Sequence, residues 1–204
     1  MAIFLASLSA LFYGVGDFTG GFVSRRSPVF TVVALSQLCG IVLALLFLPF
    51  LGRAAPVLPD LLFGLGAGIF GSLGLLLLYK GLAENQAALV SPTSAVLGAV
   101  VPMSFGLLIG DSPSPAVWAG CILCLSAILL ISKEKKGSAA YSYVRKGLAY
   151  GLASGLCFGA FFILLSRTGS SAGIWPLIAA RTASISIVMI SIKARKVSLK
   201  PVKG

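Results

Sequence analysis

Long apolar runs broken by short polar links set the pattern of the chain. Seven runs are visible, at about 2–23, 28–51, 60–82, 88–110, 115–132, 147–166 and 173–192. The links read SRRSP, GRAAPVLPD, YKGLAENQ, GDSPSP, SKEKKGSAAYSYVRK and SRTGSSAG, and the tail reads KARKVSLKPVKG. Inside the runs nothing alternates with the period of a half-buried strand. From Leu61 to Tyr79 there is no charged residue over nineteen positions, close to the length at which a helix crosses the hydrocarbon of a bilayer. The pattern predicts an all-α polytopic membrane protein with seven transmembrane helices. The first run has no basic leader and is longer than a signal-peptide core, so it is expected to stay as a span.

Composition agrees with lipid as the solvent. Of 204 residues, 58% are hydrophobic and only 10% charged, against about 25% charged in a soluble domain. Mean hydropathy is +1.04. The net charge of +11 would suit nucleic acid if it formed a folded face, but the basic residues sit in the gaps between runs, where they meet headgroups; no nucleic-acid partner is expected. Their distribution is one-sided. Thirteen fall in the odd links and the tail (Arg25, Arg26, Lys80, Lys133, Lys135, Lys136, Arg145, Lys146, Lys193, Arg195, Lys196, Lys200, Lys203), and two in the even links (Arg53, Arg167). The positive-inside rule puts the tail in the cytoplasm and the N-terminus outside.

Glycine is abundant, at 24 residues. The stretch Gly66-Ala67-Gly68-Ile69-Phe70-Gly71 fits G-x-G-x-x-G, the dinucleotide fingerprint, but it lies in the middle of an apolar run. Glu84 is too early and Asp111 too late for the ribose acid. Small residues four apart give the better account. Gly16 and Gly20, Gly64 and Gly68, and Gly151, Gly155 and Gly159 make flat strips on which another helix can pack closely. Cys121 and Cys124 form a C-x-x-C without a second pair, and the chain has no histidine, so small packed residues are expected there and no metal or other cofactor.

The central segment LLLLYKGLAENQAALVSPTSAVLGAVVPMSFGLLIGDSPSPAVWAGCILCLSAILLI resembles helices three to five of the EamA-type repeat of the drug/metabolite transporter superfamily. LFYGVGDFTGGFVSRRSP looks like the opening helix of that repeat, and LCFGAFFILLSR followed by GIWPLIAARTAS looks like the start of a second copy. At an offset of 145 residues Ser9, Leu11, Gly14 and Ala34 meet Ser154, Leu156, Gly159 and Ala179. The resemblance implies a first five-helix repeat over 1–132, a basic cytoplasmic linker over 133–146, two helices of a second, inverted and incomplete repeat over 147–192, and a basic tail over 193–204. It implies a secondary transporter of small metabolites or drugs in the plasma membrane, and a chain that is a fragment of a ten-helix carrier or a truncated product.

Ionisable groups within a span are costly and are functional candidates by default. Asp17 lies in run one, on a face with Ser9, Tyr13, Gly20 and Ser24; it could bind a proton or a cationic group, or serve as a hydrogen-bonded packing group. Arg181 lies in run seven with Ser184 and Ser191 on its side; it could bind an anion, pair with Asp17, or be tied to backbone carbonyls. Gln37 is a neutral candidate for substrate hydrogen bonds. Pro102 leaves the Gly98 carbonyl without its helical donor, which could open a polar spot on a cavity or kink the helix for packing. Lys80 and Glu84 read as interfacial solvation. No G-x-x-x-x-G-K-[ST] and no G-x-S-x-G occurs, so neither nucleotide hydrolysis nor other enzyme activity is expected. The expected partners are the bilayer, a small-molecule substrate, a coupling proton or ion, and another copy of the chain. The alternative is a non-transporting membrane protein or a subunit that needs a partner.

Overall fold

A computed structural model describes residues 2–50, 55, 57–84, 87–133 and 138–195. Within them the chain forms seven α-helices: α1 (Ala2–Ser24), α2 (Val29–Phe47), α3 (Leu58–Ala83), α4 (Ala87–Leu108), α5 (Pro115–Lys133), α6 (Ser138–Ser166) and α7 (Trp175–Arg195). No strand occurs among the described residues. Five of the helices, α2, α3, α4, α6 and α7, are long and apolar enough to cross a membrane. Most of the linker expected at 133–146 is helical from Ser138 onward, which makes α6 29 residues long, or about 43 Å. Its span proper is Tyr143–Ser166, so its first turn extends past the hydrocarbon.

Local chemistry sets the boundaries. Pro28 precedes α2, Pro59 sits in the first turn of α3, and Pro115 opens α5, positions where a missing N–H costs nothing. Helix α4 is closed off just past Leu108 by Gly110, whose φ of 98° is left-handed. There Asp111 N–H returns to the Gly106 carbonyl at 2.9 Å and Gly110 N–H to Leu107 at 3.2 Å, a Schellman closure that only glycine enters without strain. Several hydroxyls inside helices bond to carbonyls one turn back, as Ser104 does to Val100 and Thr182 to Ile178; in hydrocarbon there is no water to satisfy them.

Helix α3 is the hub, packed on α6 and α7 and more lightly on α1, α2 and α4. Its glycines make this possible. A Cβ on Gly64 would strike the Pro176 backbone and one on Gly68 the Ala180 carbonyl, both on α7. The backbones touch closely enough for Ser184 Oγ to donate to the Gly68 carbonyl at 2.8 Å. The GAGIFG stretch therefore lies inside a helix at a helix–helix contact. The buried apolar cluster lies at one end of the bundle. It joins Val32, Val33 and Ala34 of α2, Leu78, Tyr79 and Leu82 of α3, Val90 of α4, and Val188 and Ile192 of α7. This is the end that carries Arg25, Arg26, Lys80 and Lys193. Elsewhere large apolar side chains are exposed, among them Phe12, Phe18, Leu46, Leu62 and Ile190, as expected where lipid is the neighbour.

The C-terminal end of α3 is tied to α6 by polar contacts. Tyr150 donates its hydroxyl to Glu84 at 3.0 Å, and Lys80 Nζ lies 5.7 Å from the Tyr150 ring centre. Near the opposite end of α3, Asp60 is buried and accepts the Gly169 N–H at 2.8 Å. That bond pins the α6–α7 connection to the start of α3.

Candidate functional site

A cavity of about 300 Å³ lies beside the buried cluster, between six helices, α1, α2, α3, α4, α6 and α7. Each wall follows from local sequence. Helix α4 offers Ser94, Ala95, Gly98 and Ala99, small residues at helical spacing that leave the space open. Helix α6 supplies Phe158, Phe161 and Phe162, the last two edge to face with ring centres 5.2 Å apart. Their rings fit notches in α3: a Cβ on Gly71 would come within 3.0 Å of Phe161 and one on Gly74 within 3.0 Å of Phe158. Helix α1 brings Tyr13 and Asp17, α2 brings Gln37, and α7 brings Leu177, Ala180, Arg181 and Ser184.

A second, wider space of about 1140 Å³ runs along α1 and α2. It shares Tyr13, Asp17, Leu75 and Arg181 with the first cavity, so the two spaces adjoin at the charged residues. Its other walls include Leu5, Leu8, Phe12, Leu35 and Leu43.

The polar groups are few and specific. Gln37 is 1% exposed. Arg181 Nη1 donates to its Oε1 at 2.5 Å. One turn on in α2, Gly40 lies against the same guanidinium: a Cβ there would meet Nε at 3.1 Å and Cζ at 3.2 Å. Asp17 and Arg181 are both half-buried. They share the cavity, yet no ion pair joins them among the described residues. The site thus presents a carboxylate and a guanidinium with separate surroundings against an aromatic wall. That arrangement suits a small molecule with an apolar body and a polar or charged end.

The structure brings Asp17, Tyr13, Gln37 and Arg181 together at one cavity. Pro102 is not among the lining residues, but Gly98, whose carbonyl it leaves without a donor, is. Of the packing glycines, Gly20 faces the Tyr79 ring, Gly64 and Gly68 face α7, and Gly151, Gly155 and Gly159 face α4. Gly16 meets nothing within 4 Å; it lines the wide space beside α2, and no other helix packs on it among the described residues. Sequence reasoning missed the phenylalanine wall, Gly40 and the buried Asp60. The run FGAFF places Phe158 three and four residues before Phe161 and Phe162 on one helix face, a signal that was available. Asp60 was read as a link residue, and nothing local distinguishes it. Cys121 Sγ contacts the Met103 sulfur at 3.8 Å, and no cluster of metal-ligating residues occurs among the described residues.

Residues 1–133 match the EamA-like transporter family. An uncharacterized protein of Methanocaldococcus jannaschii is 29% identical over 134 residues, which cover 64% of this chain and 96% of that protein. No solved structure matches the chain.

Proposed function

The chain belongs to the EamA-like transporter family, and from that premise we propose that it is a secondary transporter that carries a small metabolite or drug through the cavity bounded by Asp17, Gln37 and Arg181. The observation that carries this reading is that Asp17 and Arg181 reach one cavity between the helices without pairing with each other. Charges held in that setting are conserved in energy terms only by a partner, and a substrate or coupling ion can be that partner. Asp17 is the coupling group in this reading, because among the described residues it is the one acid far from a helix end; Asp60, Glu84 and Asp111 lie at helix ends or links. The basic tail is in the cytoplasm and the membrane is the plasma membrane.

The test uses the full chain in proteoliposomes. Metabolites are added under an imposed pH gradient and proton flux is followed with a trapped dye. Asp17→Asn is expected to fold and to lose substrate-dependent flux. Unchanged flux in the mutant contradicts the assignment of coupling to Asp17. A second reading, a subunit that works only with a partner, is favoured by the open space along α1 and α2. It predicts flux from wild type only as an assembly, which cross-linking in the same vesicles would detect.

A further inference from the structure

We infer that Arg181, oriented by Gln37 and Gly40, is an anion receptor, and that the molecule carried has a carboxylate or phosphate group beside a small apolar body. This rests on the transport reading of the cavity and gives it a substrate class.

The argument starts from the one charge in the cavity that cannot be shed. Asp17 can take up a proton and become neutral; a guanidinium stays charged under any condition a protein meets. Arg181 therefore needs a partner at all times. The described residues offer it no carboxylate; its side-chain partner is Gln37, a neutral amide. A neutral acceptor satisfies one N–H and leaves the charge uncompensated at a depth where that is costly. Carbonyl oxygens alone would settle a structural arginine, but this one lines the cavity with Ser184 on the same helix.

The clamp is also specific in shape. Gln37 is fully buried, so its amide cannot swing to solvent. Gly40 gives the guanidinium room beside α2, since a Cβ there would sit a tight 3.1 Å from Nε. The Gln37 bond engages one N–H, on Nη1, and orients the group. The remaining donors form the fork that matches two oxygens of one anion. Gln37 is thus a positioning residue, and Arg181 is the group that touches the ligand. Phe158, Phe161 and Phe162 provide the surface for the apolar body.

The test is a charge series on one skeleton. Binding of 3-phenylpropionate, 3-phenylpropanol and 3-phenylpropylammonium to the full chain in phosphatidylcholine nanodiscs is measured by equilibrium dialysis. Wild type should bind the carboxylate about 10-fold or more tightly than the alcohol, the scale of a charge-assisted hydrogen bond, and more tightly than the ammonium. Gln37→Glu keeps the shape but gives Arg181 a permanent carboxylate; it should lose the preference while it still binds the alcohol. Arg181→Gln should do the same. Retained alcohol binding shows that either variant is folded. Equal binding of carboxylate and alcohol by wild type, or a preference that survives in both variants, overturns the anion receptor and leaves the transport cavity standing. If none of the three compounds binds wild type, the cavity reading fails and the inference with it. Phosphatidylglycerol discs separate two sources of the anion: unchanged affinity assigns the site to a free molecule, and competition assigns it to a lipid headgroup, with Arg181 as receptor in both.

Discussion

Helices α1 and α6 both carry small residues at helical spacing and have opposite surroundings. On α6 a Cβ at Gly151, Gly155 or Gly159 would come within 2.7, 2.6 or 2.6 Å of the Cβ atoms of Thr93, Leu97 and Val101 on α4. Ser154, between them, is fully buried and donates to the Tyr150 carbonyl at 2.7 Å. On α1 the residues at the 145-residue offset are Ser9 and Gly14, and both are exposed. Gly14 and Gly16 have nothing within 4 Å, and Ser9 lines the wide space beside α2. Only the last turns of α1 are embedded, where Gly20 meets Tyr79 and Gly21 meets Leu82. The same small-residue pattern thus serves two purposes. On α6 it makes a wall by letting α4 come close. On α1 it leaves a face free, and that face carries Tyr13 and Asp17.

The largest break in this comparison should come from filling the α6 stripe. Gly155→Leu forces atoms into Leu97 and the Ser94 carbonyl, 2.6 and 2.9 Å from the new Cβ. Backbone on the facing side cannot yield, so most folded monomer should be lost in fluorescence-detected size-exclusion chromatography; a wild-type yield would place the stripe against lipid. Gly68→Ala should come next. Its Cβ runs into the Ala180 carbonyl and displaces the Ser184 bond to Gly68, at a cost of about 1–3 kcal/mol, read as a lower melting temperature in detergent. Asp60→Ala removes the acceptor of Gly169 N–H and should cost about 1–3 kcal/mol, with a local rise in hydrogen exchange at 167–173. Gly16→Ala should be the mildest. With open space around it the change should stabilise α1 by up to about 1 kcal/mol through helix propensity. A clear loss of yield there would show that another chain covers α1.

The helices were legible because hydrocarbon imposes one rule everywhere: apolar side chains outward and every backbone group bonded within its own helix. The runs therefore fall on the helices to within a few residues, except at α6. There Ser138–Lys146 are polar enough to read as a linker, yet they simply continue the helix. The charged members of the site were legible for the same reason, since Asp17 and Arg181 stand out against apolar neighbours. The aromatic wall was legible only as a shared face of Phe158, Phe161 and Phe162; spacing does not tell whether that face meets lipid or a cavity. Gly16 and Gly155 show the same limit. Spacing marks both as packing positions, but only the rotation of each helix in the bundle decides which one has a neighbour.

The central claim is that the space between α1, α4, α6 and α7 is a water-accessible binding cavity, and cysteine labelling tests it most directly. In a background without Cys39, Cys121, Cys124 and Cys157, Ala99→Cys is placed on the cavity wall and Leu152→Cys on the exposed, lipid-facing side of α6. Both are treated with a charged, membrane-impermeant thiosulfonate in intact membranes. Rapid labelling of Ala99→Cys, slowed by 3-phenylpropionate, with no labelling of Leu152→Cys is the predicted result. Equal rates at the two positions, or an Ala99→Cys that does not react, would contradict the account.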